Sequence, residues 1–220
     1  MHQTVCLKNS MAFLLGICLL LACADKKKTE EIPYYNSPDF TPIFIADEGV
    51  VAQKIPHQIA DFCFIDQNGV KVSQKNIEGK IHVANFVFTS CGSICPVMTK
   101  NLKILSNQFK NDKKVIILSY SVTPWIDDVK RLAAYTKANK ISNPNWHFLT
   151  GSKAAIYTLA RKSYFAEEDL GFTKDSTDFL HTEHILLVDN NKRIRGVYNG
   201  TLQLEVEQLI KDIKSLETKN

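Results

Sequence analysis

Nowhere in this chain do charges of one sign gather densely. Lysine and arginine number 27 against 23 aspartate and glutamate, a formal net charge of +4. The lysines are scattered, and Lys26-Lys27-Lys28 is the tightest cluster. That excludes the basic patch on which nucleic-acid binding depends. Long apolar runs are scarce as well, and the one that stands out is short for a bilayer-spanning helix. The stretch from Met11 to Ala22 is interrupted only by small residues, but a spanning helix needs about 20 apolar residues. No internal repeat is visible. Six cysteines are present, yet none stands in a C-x-x-C pair. What remains is a 45% hydrophobic chain of 220 residues, enough for one globular domain with a sizeable core plus extra segments.

The extra segments lie at the amino end. Lys8 precedes the short apolar run, the pattern of a secretory signal. The run ends in Leu20-Leu21-Ala22-Cys23, which resembles a bacterial lipobox. In such signals cleavage falls before the cysteine, whose sulfur carries a diacylglycerol. Residues 1–22 then form a lipoprotein signal peptide, and Cys23 is the lipidated first residue of the mature chain. The competing reading is an uncleaved anchor helix. Either way the domain is exported and tethered, in an oxidising compartment where exposed thiols need a reason to survive. The expected location is the bacterial cell envelope, lipid-anchored with the domain in the periplasm. Residues 23–45 are expected to be a tether and N-terminal extension: Ala24 to Ser37 are mostly polar. The aromatics from Tyr34 to Phe44 point to packing on the domain, and Pro38 and Pro42 argue against a helix.

The domain, residues 46–220, is organised around Val83 to Met98. Val83 to Phe88 is β-branched and aromatic, the mark of a strand. Cys91-Gly92-Ser93-Ile94-Cys95 follows, then Pro96, with Val97, Met98 and Leu102 spaced for a helix. Proline suits a helix's first turn. The cysteines therefore sit between a strand end and a helix start, where the dipole and free N–H groups favour thiolates. The C-x-x-x-C spacing lets both sulfurs face one guest atom or close into a disulfide; a purely structural disulfide or two buried thiols is the plain alternative.

Strands are expected over Ile59–Ile65 and Val70–Val72 around an Asn68-Gly69 turn, with a polar connection over Asn76–Lys80. Further strands are expected at Ile81–Phe88, Lys114–Val122, Asn145–Gly151, Ile185–Asp189 and Arg193–Tyr198. Helices are expected over Pro96–Phe109, from Thr123, over Lys153–Tyr164 and over Leu202–Leu216. Ala166 to Ser176 reads as a surface loop. Asp127 and Asp128 fall in a first helical turn, as the dipole prefers. Cys63, between two phenylalanines, reads as a small buried hydrophobe. The order is that of an α/β, thioredoxin-like fold: a central mixed sheet flanked by helices.

Of the six histidines, His57 reads as a surface residue, and His82 and His147 as core or edge residues. His181 and His184 stand just before the Ile185 strand, which neighbours the cysteine-bearing strand in such a sheet. Either is a candidate ligand. Residues three apart on a strand face opposite sides, so one of them is expected to face the sulfurs.

Phe88-Thr89-Ser90-Cys91-Gly92-Ser93-Ile94-Cys95-Pro96, then Ser121-Val122-Thr123-Pro124, Leu149-Thr150-Gly151, and His181 before Asp189 together resemble the SCO/SenC family. Its members are copper-binding, thioredoxin-fold assembly proteins of cytochrome c oxidase. The resemblance runs from about residue 57 to 217 and implies a copper site of Cys91, Cys95 and His181. His181 is the choice because His181-Thr182 through Leu187 matches the family's histidine pattern. Thr123 stands where the family carries an aspartate.

Two thiolates and an imidazole are soft ligands that select Cu(I) and keep Cu(II) accessible. Structural zinc wants four ligands, and no fourth Cys or His has a compelling position, His184 being the one to watch. A Cys91–Cys95 disulfide cannot hold copper, so the pair either carries metal or exchanges electrons with other thiols. The resemblance thus implies a membrane-tethered metallochaperone with no catalytic residue, and with thiol–disulfide exchange as a further capacity. Its expected partners are the copper-containing subunit of cytochrome c oxidase and another copper carrier or thiol reductant, but no nucleic acid. The alternative is a thiol–disulfide oxidoreductase or thiol peroxidase. Against it stand the cysteine spacing and the lack of a proline just before the Ile185 strand.

Overall fold

The computed structural model describes residues 31–166 and 182–218, and Ile32–Asn220 forms one unit. The signal, Cys23, the 167–181 segment and His181 lie outside the described residues. A 3-10 turn at Glu48–Val50 leads into α1 (Val51–Lys54). There follow β1 (Cys63–Asp66), β2 (Lys71–Ser73), α2 (Gln74–Ile77), β3 (Ile81–Val87), α3 (Ile94–Gln108), β4 (Val115–Ser121) and α4 (Val129–Ala138). The chain continues with β5 (Trp146–Thr150), α5 (Lys153–Lys162), β6 (His184–Val188), β7 (Ile194–Asn199) and α6 (Gln203–Thr218). One seven-stranded sheet runs β2-β1-β5-β4-β3-β6-β7. β3 pairs parallel with β4, and β4 with β5; the other pairings are antiparallel. This is the expected thioredoxin-like arrangement.

β3 and β4 are buried along their whole length, as strands covered on both faces must be. Strand alternation sends Val83, Val87, Ile117, Ile185 and Leu187 to one face, where Met98, Leu102 and Leu105 of α3 meet Val206, Leu209 and Ile213 of α6. Ala84, Phe86, Leu118, Tyr120, Leu186 and Val188 take the other face, against Ile156, Leu159 and Ala160 of α5. The N-terminal extension does pack on the domain: Tyr34 is buried, and the Tyr35 N–H donates to the Ile194 carbonyl at 3.0 Å on the outer strand β7.

Five expectations need correction. Cys63 is exposed, because alternation on β1 turns Phe62 and Phe64 inward and the residue between them outward. The Asn76–Lys80 connection contains the end of a helical turn, whose start is held by the Ser73 N–H donating to Asn76 Oδ1 at 2.9 Å. Helix α3 begins two residues before Pro96, so Cys95 lies inside its first turn. Helix α4 begins at Val129, not Thr123: Asp128 caps it by accepting from the Arg131 N–H at 2.7 Å, and Asp127 turns inward. His57 is half-buried, its Nε2 2.8 Å from the Ser163 carbonyl and its ring stacked on Phe165.

Candidate metal and thiol centre

β3, β4 and β5 all end at one edge of the sheet, the carboxyl edge where ligands bind in open α/β folds. β3 hands the chain to the cysteine turn there, and the Cys91 N–H donates back to the Phe88 carbonyl at 3.0 Å. Cys91 is partly exposed and Cys95 is buried; both are free thiols. Each thiol acts on the other's ionisation: Cys95 helps to lower Cys91, and Cys91 helps to raise Cys95.

Their environments differ sharply. Partial burial would raise the Cys91 pKa, but the backbone N–H groups of Cys95, Ser93 and Ile94, with the Cys95 thiol, outweigh it and bring Cys91 below the usual thiol value. These are the orphan amides of α3's first turn. Burial pushes Cys95 up to about 11; a backbone hydrogen bond at Phe88 opposes the rise, while the neighbouring Cys91 and Asp127 add to it. The pair therefore combines a more acidic, partly exposed sulfur with a less acidic, buried one, an inequality that suits stepwise thiol chemistry.

β6 runs antiparallel to β3, with Asn85 opposite Ile185, so its first residues lie at the cysteine edge. The Gly200 N–H donates to the Glu183 carbonyl at 2.8 Å. A Cβ on Gly200 would stand 2.9 Å from Met98 Cε, and the Asn101 amide of α3 donates to the Gly200 carbonyl at 3.0 Å. The described chain thus resumes at Thr182 beside the helix that carries Cys95.

His184 takes the face opposite Cys95. Its ring meets Phe40 edge-on at 5.9 Å, and Phe40 packs on the α5 side of the sheet. His82 is buried with Nε2 3.0 Å from the Tyr164 hydroxyl. His147 Nδ1 lies 3.0 Å from Asp66. None of these three joins the sulfurs. Among the described residues no group of three His, Cys, Asp or Glu could hold a metal; the two sulfurs form a soft pair open to further ligands.

The family model for SCO1/SenC matches residues 51–218. The chain belongs to the SCO1/SenC family. It is 31% identical over 170 residues to the SCO1 protein homolog of Bacillus subtilis, covering 76% of this chain and 87% of that one. BsSco, described as having a disulfide switch and as a member of the Sco family of cytochrome c oxidase assembly proteins, superposes with a TM-score of 0.63. It is 31% identical, with 74% of this chain and 95% of that chain covered. The copper-bound ScoI of Bradyrhizobium japonicum superposes with a TM-score of 0.57 at 27% identity, covering 71% of this chain and 98% of that one.

What sequence reading missed in this SCO1/SenC domain is Asp127. It has no solvent exposure and gathers the hydroxyls of Thr89, Ser121 and Thr123. The available signal was the run of hydroxyl residues at both strand ends, Thr89-Ser90 and Ser119 to Thr123, which a buried carboxylate needs as donors.

Proposed function

We propose that this chain is a membrane-tethered copper carrier that delivers its metal to the copper site of cytochrome c oxidase. Cys91 and Cys95 supply two soft sulfur ligands and His181 the imidazole. Three ligands leave copper open to a ligand from the recipient, which transfer requires. The observation that carries the reading is a juxtaposition. Two free thiols, four residues apart in one turn, stand at the carboxyl edge, and the described chain resumes there at Thr182, the residue after His181 in sequence. The copper-bound relative ScoI supports copper as the cargo, and BsSco supports oxidase assembly as the setting.

The sequence supports the remaining parts: a signal peptide over residues 1–22, a lipid on Cys23, a tether and extension over 23–45 and the copper domain over 46–220. It also supports a periplasmic position on a bacterial membrane. A second carrier or a thiol reductant then restores the copper or the dithiol.

Titration tests this. Reduced protein is expected to take up about one copper per chain, as a single soft site implies. Its Cu(II) form is expected to show a thiolate charge-transfer band that Cys91→Ala or His181→Ala abolishes. No uptake, or uptake indifferent to both substitutions, contradicts it.

A second reading, thiol–disulfide exchange, is favoured by the inequality of the two thiols, an accessible Cys91 with a lowered pKa and a buried Cys95 with a raised one. Strong disulfide-reductase turnover unaffected by His181→Ala would favour it.

A further inference from the structure

A buried carboxylate is costly unless donors surround it, and those of Asp127 come from three elements. Ser121, the last residue of β4, donates to Oδ2 at 2.7 Å, and Thr123 in the following turn donates to Oδ2 at 2.9 Å. From beyond β3, Thr89 donates through its hydroxyl to Oδ1 and through its N–H to Oδ2 at 3.4 Å. From α4, Arg131 Nε lies 3.4 Å from Oδ1. The same guanidinium donates to Thr89 Oγ1 at 2.8 Å and to Ser90 Oγ.

Thr89 and Ser90 are the two residues before Cys91. In the turn beyond them Cys91 and Ile94 touch the apolar core beside α3, but at Gly92 the turn is open: nothing lies within 4 Å of where a Cβ would stand. On its amino side Cys91 is held by its own N–H bond to the Phe88 carbonyl and, through Thr89 and Ser90, by this polar clip. Thr123, which stands where the family resemblance puts an aspartate, serves the clip as a donor to Asp127.

We propose that Asp127 is a positioning residue: by fastening Thr89 and Ser90 to β4 and α4 it holds Cys91 against Cys95 and so sets the balance between dithiol and disulfide. It rests on Cys91 and Cys95 being working thiols and not on copper. Holding two reacting groups in place raises their effective concentration. Freeing the turn lowers it, and the disulfide becomes easier to reduce.

The reaction measured is exchange with glutathione disulfide. The Cys91 thiolate attacks one glutathione sulfur, and the other glutathione leaves as a thiolate. The Cys95 sulfur then attacks the Cys91 sulfur, forming the Cys91–Cys95 bond and releasing the second glutathione. The pair loses two protons and two electrons, which the two glutathione thiols take up.

The test is the equilibrium constant for this exchange in glutathione buffers at fixed pH, read as the Cys91–Cys95 disulfide by mass spectrometry of digested protein, with Cys63→Ser as background to remove the other exposed thiol of the domain. Asp127→Asn and Asp127→Ala are expected to lower the constant about tenfold. Thr123→Val is expected to lower it less, in the same direction. Ile213→Val, a core substitution in α6 remote from the clip, leaves it unchanged. A constant for Asp127→Asn within about twofold of the parent overturns the proposal, as does an equal shift from Ile213→Val. If the Asp127 variants do not fold, Thr123→Val and Ser121→Ala decide, and no shift in either overturns it. Copper titration of the parent separates the two proposals: absent uptake contradicts the copper carrier and leaves this equilibrium as it is.

Discussion

The cysteine edge and the outer strand β7 both contain buried charge, but they use it for opposite ends. At the cysteine edge, Asp127 fastens a turn and leaves a thiol partly open to solvent. On β7, Arg195 donates to the carbonyls of Ile32 at 2.7 Å and Pro33 at 2.9 Å, pairs with Asp189 at 3.3 Å, and lies 3.7 Å over the Tyr34 ring. Arg193 donates to the Ile55 carbonyl at 3.0 Å. Those contacts seal the extension over a sheet edge that would otherwise offer unpaired backbone to another strand. One network holds a reactive group ready; the other closes a surface. The contrast teaches that a buried ion in this fold is to be read by what it leaves exposed.

The comparison breaks most completely at the thiols. Cys91→Ser is expected to abolish copper uptake while leaving the thermal midpoint nearly unchanged, because Cys91 is partly exposed. Uptake is read by metal analysis and the midpoint by circular dichroism. The reverse pattern is expected at the other network. Arg195→Ala leaves Asp189 without its charged partner, with only the Asn191 and Arg193 N–H groups on Oδ1, and removes two donors to the extension, which should cost about 3 kcal/mol of stability, the low end for breaking a buried pair. Denaturant unfolding reads the loss, and the thiol equilibrium of the surviving folded protein should match the parent.

A third test uses the α5 side of the sheet. Burial drives the His82 pKa from 6.5 down to about 3. Between those values the unfolded chain holds a proton on this residue that the folded chain refuses, so stability falls as pH drops through that window. This one group contributes at most about 1.4 kcal/mol per pH unit. His82→Phe is expected to flatten that part of the acid limb, with Tyr164 still bonded to the Tyr120 hydroxyl at 3.1 Å. An unchanged slope would refute it. The smallest effect belongs to Cys63: Cys63→Ser should change stability by less than about 0.5 kcal/mol, as an exposed site does. In unfolding measurements a larger loss would mean that its surface is covered.

Much of this architecture was legible because it is local. The apolar burst of β3, the cysteines and Pro96 announce strand, turn and helix in order, and the continuous apolar run of β6 announces a strand covered on both faces. Cys63 was misjudged because a run of apolar residues hides the strand's phase: Phe62 and Phe64 face inward only once β1 has a partner on each side. Asp127 was read as one of a pair favoured by a helix dipole. Its donors at Thr89 lie 38 residues away, and no local pattern joins them. A greater separation hid the clamp of Arg195 on Ile32, 163 residues apart. For the site, both sulfurs were legible from their spacing. The opposite orientation of His184 needed the strand's register and Phe40.

The central claim is that two sulfurs from one turn and an imidazole from the 167–181 segment share one metal. X-ray absorption of the Cu(I)-loaded domain, parent beside His181→Ala, tests it most directly. The account predicts two sulfur neighbours and one nitrogen in the parent, and loss of the nitrogen alone in the variant. A spectrum that His181→Ala leaves unchanged would contradict it.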